Sequence, residues 1–105
     1  MRLFHLIHRS DLEAAAPTGT IAPGPDGFVH LSADHQVAGT VARFYDEVPP
    51  GDLMVVEVDP DLTEGTLVWE EGEPGVLFPH LYGHIPLDSV VAVRVWTGPT
   101  VPDRP

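Results

Sequence analysis

The stretch Gly27-Phe28-Val29-His30-Leu31-Ser32 decides how this chain is read. Gly27 releases the backbone from a loop rich in proline and glycine. Phe28, Val29 and Leu31, with His30 among them, predict a short strand. Ser32 stands where a helix N-cap is expected, with Asp34 in the first turn to suit the helix dipole. An ionisable ring is thereby placed on a buried element close to the start of a helix. A second stretch, Phe78-Pro79-His80-Leu81-Tyr82-Gly83, repeats the theme of aromatic, histidine, apolar residue and glycine. The two stretches are expected to face each other across a pocket.

Working outward, Arg2 to His8 alternates. Leu3, His5 and Ile7 share one face and Phe4, Leu6 and His8 the other. Both faces are partly apolar, which predicts a central strand. Ser10-Asp11-Leu12-Glu13 matches a capping box, so a short helix is expected to run to about Ala16 and to end at Pro17 and Gly19. After Ser32, the apolar spacing of Val37, Val41, Phe44 and Tyr45 predicts one buried helix stripe. Pro49-Pro50-Gly51-Asp52 stops that helix. Leu53 to Val58, Thr66 to Glu70, Val76 to Tyr82 and Ser89 to Trp96 read as strands. Glu70 to Gly75 reads as an acidic hairpin loop, and Gly83 to Pro86 as a further turn. Pro79 disfavours helix in the third of these strands. Residues 1–105 are expected to form one α+β domain, with its core over residues 2–96 and a frayed, proline-containing tail over 97–105.

Composition narrows the function. There are 16 acids against 5 bases, all arginine, giving a net charge of −11. Such a domain repels phosphate backbones, so nucleic acid is not an expected partner. There is no cysteine, which excludes disulfides and thiolate zinc sites and fits a reducing cytoplasm. No apolar run approaches a membrane span, and the first ten residues lack a signal-peptide pattern. At this length about two-thirds of the unfolded chain's surface can be buried, enough for one core.

Six histidines in 105 residues are many. His5, His30 and His80 fall on three separate extended elements, an arrangement that can converge on one site. His5 and His8 would point to opposite faces of a strand, and His80 and His84 lie among helix breakers, so neither pair reads as a chelate. No nucleophile elbow, phosphate loop or dinucleotide fingerprint is present. Glu70, ending a strand beside Trp69, is the acid expected to point into a pocket. Trp69 and Tyr82 could stack on a planar ligand.

Together these residues resemble a known family. Phe4-His5, Gly27-Phe28-Val29-His30 with Ser32, Trp69-Glu70, and Phe78-Pro79-His80 with Tyr82-Gly83 look like the DUF952 family of small bacterial proteins, over about residues 2–96. That family is similar in fold to the ADP-ribosyltransferases. The resemblance therefore implies split antiparallel sheets with two helices in the N-terminal half, and a cleft for a nicotinamide dinucleotide. It implies that His5 lies beside the ribose and nicotinamide. His30 would be the second motif position in its histidine form, as in the similar RNA 2′-phosphotransferases. The third position, usually a glutamate, has no clear counterpart, since Glu70 lies on an earlier strand and the late motif offers His80 and Tyr82.

The expectation is thus a nucleotide-binding, transferase-like or 2′-phosphotransferase-like protein. His5, His30, His80 and Glu70 are its catalytic candidates. NAD is its cofactor, held by His5, Phe28, His30, Ser32, Trp69 and Tyr82, and no resident metal is expected. The rivals are a non-catalytic module for a small ligand, and a histidine–metal protein centred on His5, His30 and His80.

Overall fold

A computed structural model describes residues 2–99 and 101. In chain order the elements are β1 (Leu3–His8), α1 (Arg9–Ala15), β2 (Thr20–Ile21), β3 (Val29–His30), β4 (Ser32–Ala33), α2 (Val37–Phe44), β5 (Leu53–Val58), β6 (Glu64–Glu73), β7 (Val76–Pro86) and β8 (Val90–Val95). Among the described residues, two α-helices and two antiparallel sheets make an α+β fold.

The two-faced apolar pattern of β1 is explained by its position. It is an inner strand of the sheet β4-β1-β5-β8. Leu3 and Ile7 point one way and pack with Met54, Val56 and Val58 against Val29, Leu81 and Ile85 of the second sheet. Phe4 and Leu6 point the other way and pack with Leu53 and Val55 against Val37 of α2. Each such fully buried aliphatic side chain stabilises the fold by roughly 1.5–3 kcal/mol. The second sheet has β7 at its centre. β6 runs along one edge, while β2 and β3 lie along the other, pairing with different parts of β7.

Several local expectations change. α1 starts at Arg9, not behind a Ser10 cap, and no side chain caps it. Its first amide instead donates to the Asp52 carbonyl at 2.7 Å, so a loop fills the role assigned to the serine. Ser32 is not an N-cap either. It pairs with Phe4 as part of β4, and its hydroxyl meets that of Thr40 at 3.3 Å. The helical segment begins after Ala33, whose amide donates to Gln36 Oε1 at 3.0 Å. Phe44 leaves the buried stripe of α2 and is 66 % exposed, with its ring lying 4.8 Å from the Arg43 guanidinium instead.

The largest difference is the hairpin of β6 and β7. Gly83 is no turn but lies mid-strand, opposite Gly65. A Cβ on Gly83 would stand 1.8 Å from the Glu64 carbonyl oxygen, so the strands approach too closely there for any side chain. The turn itself is short, at Pro74 and Gly75, with Gly75 at φ +79°. Among the described residues no helix is long and apolar enough to cross a membrane. The expected frayed tail falls mostly on 100 and 102–105, which lie outside the described residues.

Candidate functional site

The site arises where the two sheets part. β4 pairs with β1 only through Ala33–Leu3 and Ser32–Phe4. One residue earlier, Leu31 donates its amide to Pro79 of β7 at 3.0 Å, and His30 and Val29 then pair with His80 and Leu81. The chain has changed sheets at Leu31, and β4 does not cover β1 beyond Phe4. Two clefts open in the gap. The larger, of about 570 Å³, is lined by Phe28, His30, Phe78 and His80 on one side and Arg43 and Phe44 on the other. The smaller, of about 330 Å³, holds His5, Ile7, Asp11 and Ile21. Leu6, Phe28, His30 and Tyr45 line both.

Alternation along the hairpin selects the side chains. His30 lies opposite His80, Glu70 opposite Phe78, and Thr66 opposite Tyr82, so these residues share one sheet face. The His30 and His80 rings are 5.4 Å apart and nearly perpendicular. Phe28 bridges them, stacked on His80 at 4.2 Å and tilted against His30 at 4.6 Å and Tyr82 at 5.2 Å.

Each of these two imidazoles is held by a carboxylate. His30 Nε2 meets Asp26 Oδ2 at 2.8 Å. Gly27, at φ +85°, turns the loop so that Asp26 can reach back. His80 Nδ1 meets Glu70 Oε1 at 2.9 Å, and the Tyr82 hydroxyl donates to the same oxygen at 2.6 Å. Hydrogen bonds from Tyr82 and then His80 hold the Glu70 carboxyl below its ordinary range, and the same bond pushes the Tyr82 phenol up. An ionised carboxylate only accepts, so the bonded ring nitrogen carries the hydrogen in both pairs. His80 is nearly buried, at 7 % exposure, whereas His30 is open to solvent.

The two histidine stretches therefore do not face each other across a pocket. They are neighbouring strands, and their rings stand side by side on one wall of it. Of the residues singled out in the sequence, Phe28, His30, His80, Tyr82 and Glu70 are brought together. His5 stands apart. Its Nδ1 donates to the His30 carbonyl at 2.8 Å, and the ring lines the smaller cleft. Burial lowers its pKa, outweighing that hydrogen bond. Ser32 lines the larger cleft with its hydroxyl turned to Thr40. Trp69 lies opposite Pro79, on the other face of the sheet from Glu70.

Asp26, Arg43, Tyr45 and Phe78 were not singled out as site residues. Phe78 was within reach of the sequence, since it lies two residues before His80 and must share its face. Asp26 and Arg43 carry no such signal, because a loop reversal and a helix end bring them in. Among the described residues no cluster of three or more His, Asp or Glu side chains could hold a metal ion, so the tri-histidine centre is not assembled there.

The family described as "Protein of unknown function (DUF952)" matches residues 6–93 of the chain. No curated protein matches it. Among solved structures, the crystal structure of protein CC0527 from Caulobacter crescentus is similar at 27 % identity. It covers 90 % of this chain and 85 % of that one, with a TM-score of 0.77. The solution structure of CC0527 gives 28 % identity and a TM-score of 0.71, over 90 % and 83 % of the two chains.

Proposed function

The chain belongs to the DUF952 family, whose function is unknown, and from that premise we propose that the larger cleft binds a nucleotide of the NAD type. The observation that carries this reading is the wall formed by His80, stacked at 4.2 Å on Phe28 and tied at 2.9 Å to Glu70. Aromatic faces favour a planar ring. Asp26 and Glu71 at the cleft, with Glu70 behind His80, suit a ring bearing positive charge, as the nicotinamide of NAD does. A cleft of about 570 Å³ lies within the range of cofactor sites, roughly 300–1,000 Å³. Two antiparallel sheets parting at Leu31 are also the arrangement that the ADP-ribosyltransferase reading calls for.

For a transferase-like reaction, breaking the N-glycosidic bond leaves positive charge on the ribose. Glu70, kept ionised by its two donors, does not line the cleft itself and favours such a centre through its negative field from behind His80. A 2′-phosphotransferase-like activity is the less favoured form, given the acidic field that an RNA would meet.

A second reading is a module that binds the nucleotide without cleaving it. It is favoured by Glu70 Oε1, which already accepts from both His80 and Tyr82. Calorimetric titration with NAD and ADP-ribose tests binding. Wild type is expected to bind, and His30→Ala, at an exposed position, to bind at least about tenfold more weakly, the loss of a charge-assisted contact being worth roughly 1.5–3 kcal/mol. No binding by wild type at millimolar ligand overturns the proposal. Free nicotinamide measured by chromatography then separates turnover from binding alone.

A further inference from the structure

The larger cleft has two chemically different ends. The histidine and phenylalanine wall is one, and the last turn of α2 with the tip of the β6–β7 hairpin is the other. Arg43 lines the second end. With 16 acids against 5 arginines and no lysine in the chain, a cation in a cleft calls for a reason. The remaining described arginines lie elsewhere. Arg2 pairs with Glu57, Arg9 donates to the Gly51 carbonyl, and Arg94 lies on β8 opposite Val55. Among the described residues Arg43 is the only lysine or arginine that lines this cleft.

Its guanidinium carbon sits 4.8 Å from the centroid of the Phe44 ring, which orients the planar group. Nη1 of Arg43 is paired with Glu73 Oε1, next to the hairpin bulge. Both side chains are about four-tenths exposed, 42 % and 36 %. An exposed pair of this kind is worth only a few-fold in an equilibrium constant. A phosphate offers the guanidinium a bidentate partner of higher charge.

We propose that Arg43 is the phosphate-binding pole of the cleft, and that Glu73 occupies it as an exchangeable stand-in until a phosphate-bearing ligand arrives. This rests on the nucleotide reading above and adds to it the end of the cleft at which the phosphates lie. The ring of the ligand then meets Phe28 and His80, while its phosphates displace Glu73 from Arg43. Glu73 also sets a selectivity, because only a group that outcompetes a carboxylate takes the site.

The test compares wild type, Arg43→Gln and Glu73→Gln by calorimetric titration with ADP-ribose. A second probe is inorganic pyrophosphate, followed through the side-chain Nε–H NMR signal of Arg43. Arg43→Gln is expected to weaken ADP-ribose about tenfold or more, and Glu73→Gln to strengthen it two- to fivefold. Pyrophosphate is expected to shift the Arg43 signal in wild type, and at lower concentration in Glu73→Gln. Wild type that binds ADP-ribose with Arg43→Gln unchanged overturns the inference and leaves the nucleotide reading standing. Wild type that binds no ADP-ribose overturns the nucleotide reading. In that case a pyrophosphate shift at Arg43 still supports the anion site, and no shift at tens of millimolar overturns it.

Discussion

Replacing Gly83 by alanine is the sharpest test of how the hairpin carrying the site is built. A Cβ there would lie 1.8 Å from the Glu64 carbonyl oxygen and 2.7 Å from Gly65 Cα, whereas ordinary contact begins at 3.4 Å. The shortfall to the oxygen is 3.4 minus 1.8, or 1.6 Å, and the obstacle is backbone, which cannot rotate aside as a side chain can. The strands must separate over the pairs Glu64–His84, Gly65–Gly83 and Thr66–Tyr82. Two or three cross-strand hydrogen bonds are then lost or stretched, at roughly 1 kcal/mol each with further strain. A loss of about 2–4 kcal/mol follows, a large part of the 5–15 kcal/mol by which such a domain is stable. Urea unfolding followed by circular dichroism measures it. With a urea m-value of about 1–3 kcal/mol/M the midpoint falls by about 1 M or more. Gly75→Ala is the control. Gly75 has positive φ in the hairpin turn but open space around it, so it should cost only about 1 kcal/mol. A Gly83→Ala variant within 1 kcal/mol of wild type would refute this register and restore Gly83 to a turn.

Two further outcomes concern ionisation. Burial lowers the pKa of His5 from its ordinary 6.5, so the unfolded chain binds the proton more readily. Stability is then full above pH 6.5 and falls as the pH drops from 6.5 towards the folded value, by at most about 1.4 kcal/mol per pH unit for one proton; His5→Gln should remove that slope from thermal melts, and an unchanged slope would rule His5 out as its source. Both tyrosines titrate above their ordinary value of 10, Tyr45 through burial and then Asp11, and Tyr82 through its bond to Glu70; ultraviolet titration of Glu70→Gln should bring one of the two back towards 10, and identical curves would argue against the Tyr82–Glu70 bond.

The sequence revealed the inner position of β1 because apolar residues on both faces have only one common cause, burial between two layers. It also revealed which residue types the site uses, since His30, His80 and Tyr82 recur beside glycine and aromatics. It did not reveal the change of sheet at Leu31. That event depends on which strand accepts each backbone hydrogen bond, and the two-residue β3 and β4 have no pattern long enough to record it. Trp69 shows a different limit. Neighbours on a strand point to opposite faces, so Trp69 and Glu70 could never both enter one pocket. Gly83 was misread because a glycine needed for close strand approach looks like a glycine needed for a turn. The N-caps assigned to Ser10 and Ser32 failed because neighbouring backbone and Gln36 reached the amides first.

The alternation of β7 also separates what holds the protein together from what it offers to a ligand. Pro79, Leu81 and Ile85 share one register and are buried, with Leu81 and Ile85 in the core between the sheets. Phe78, His80 and Tyr82 share the other and face Glu70, Phe28 and His30. The aromatic and acidic wall is thus carried by a strand whose opposite face is anchored in the core. Rigidity reaches His80 through the backbone as well as through its own contacts with Phe28 and Glu70. This allows the wall to keep exposed groups such as His30, Asp26 and Tyr82 without resting the fold on them. It also explains why the close approach at Gly83 matters for the site: a strand displaced there carries Tyr82 away from Glu70, and with it one of the two donors that keep that carboxylate ionised.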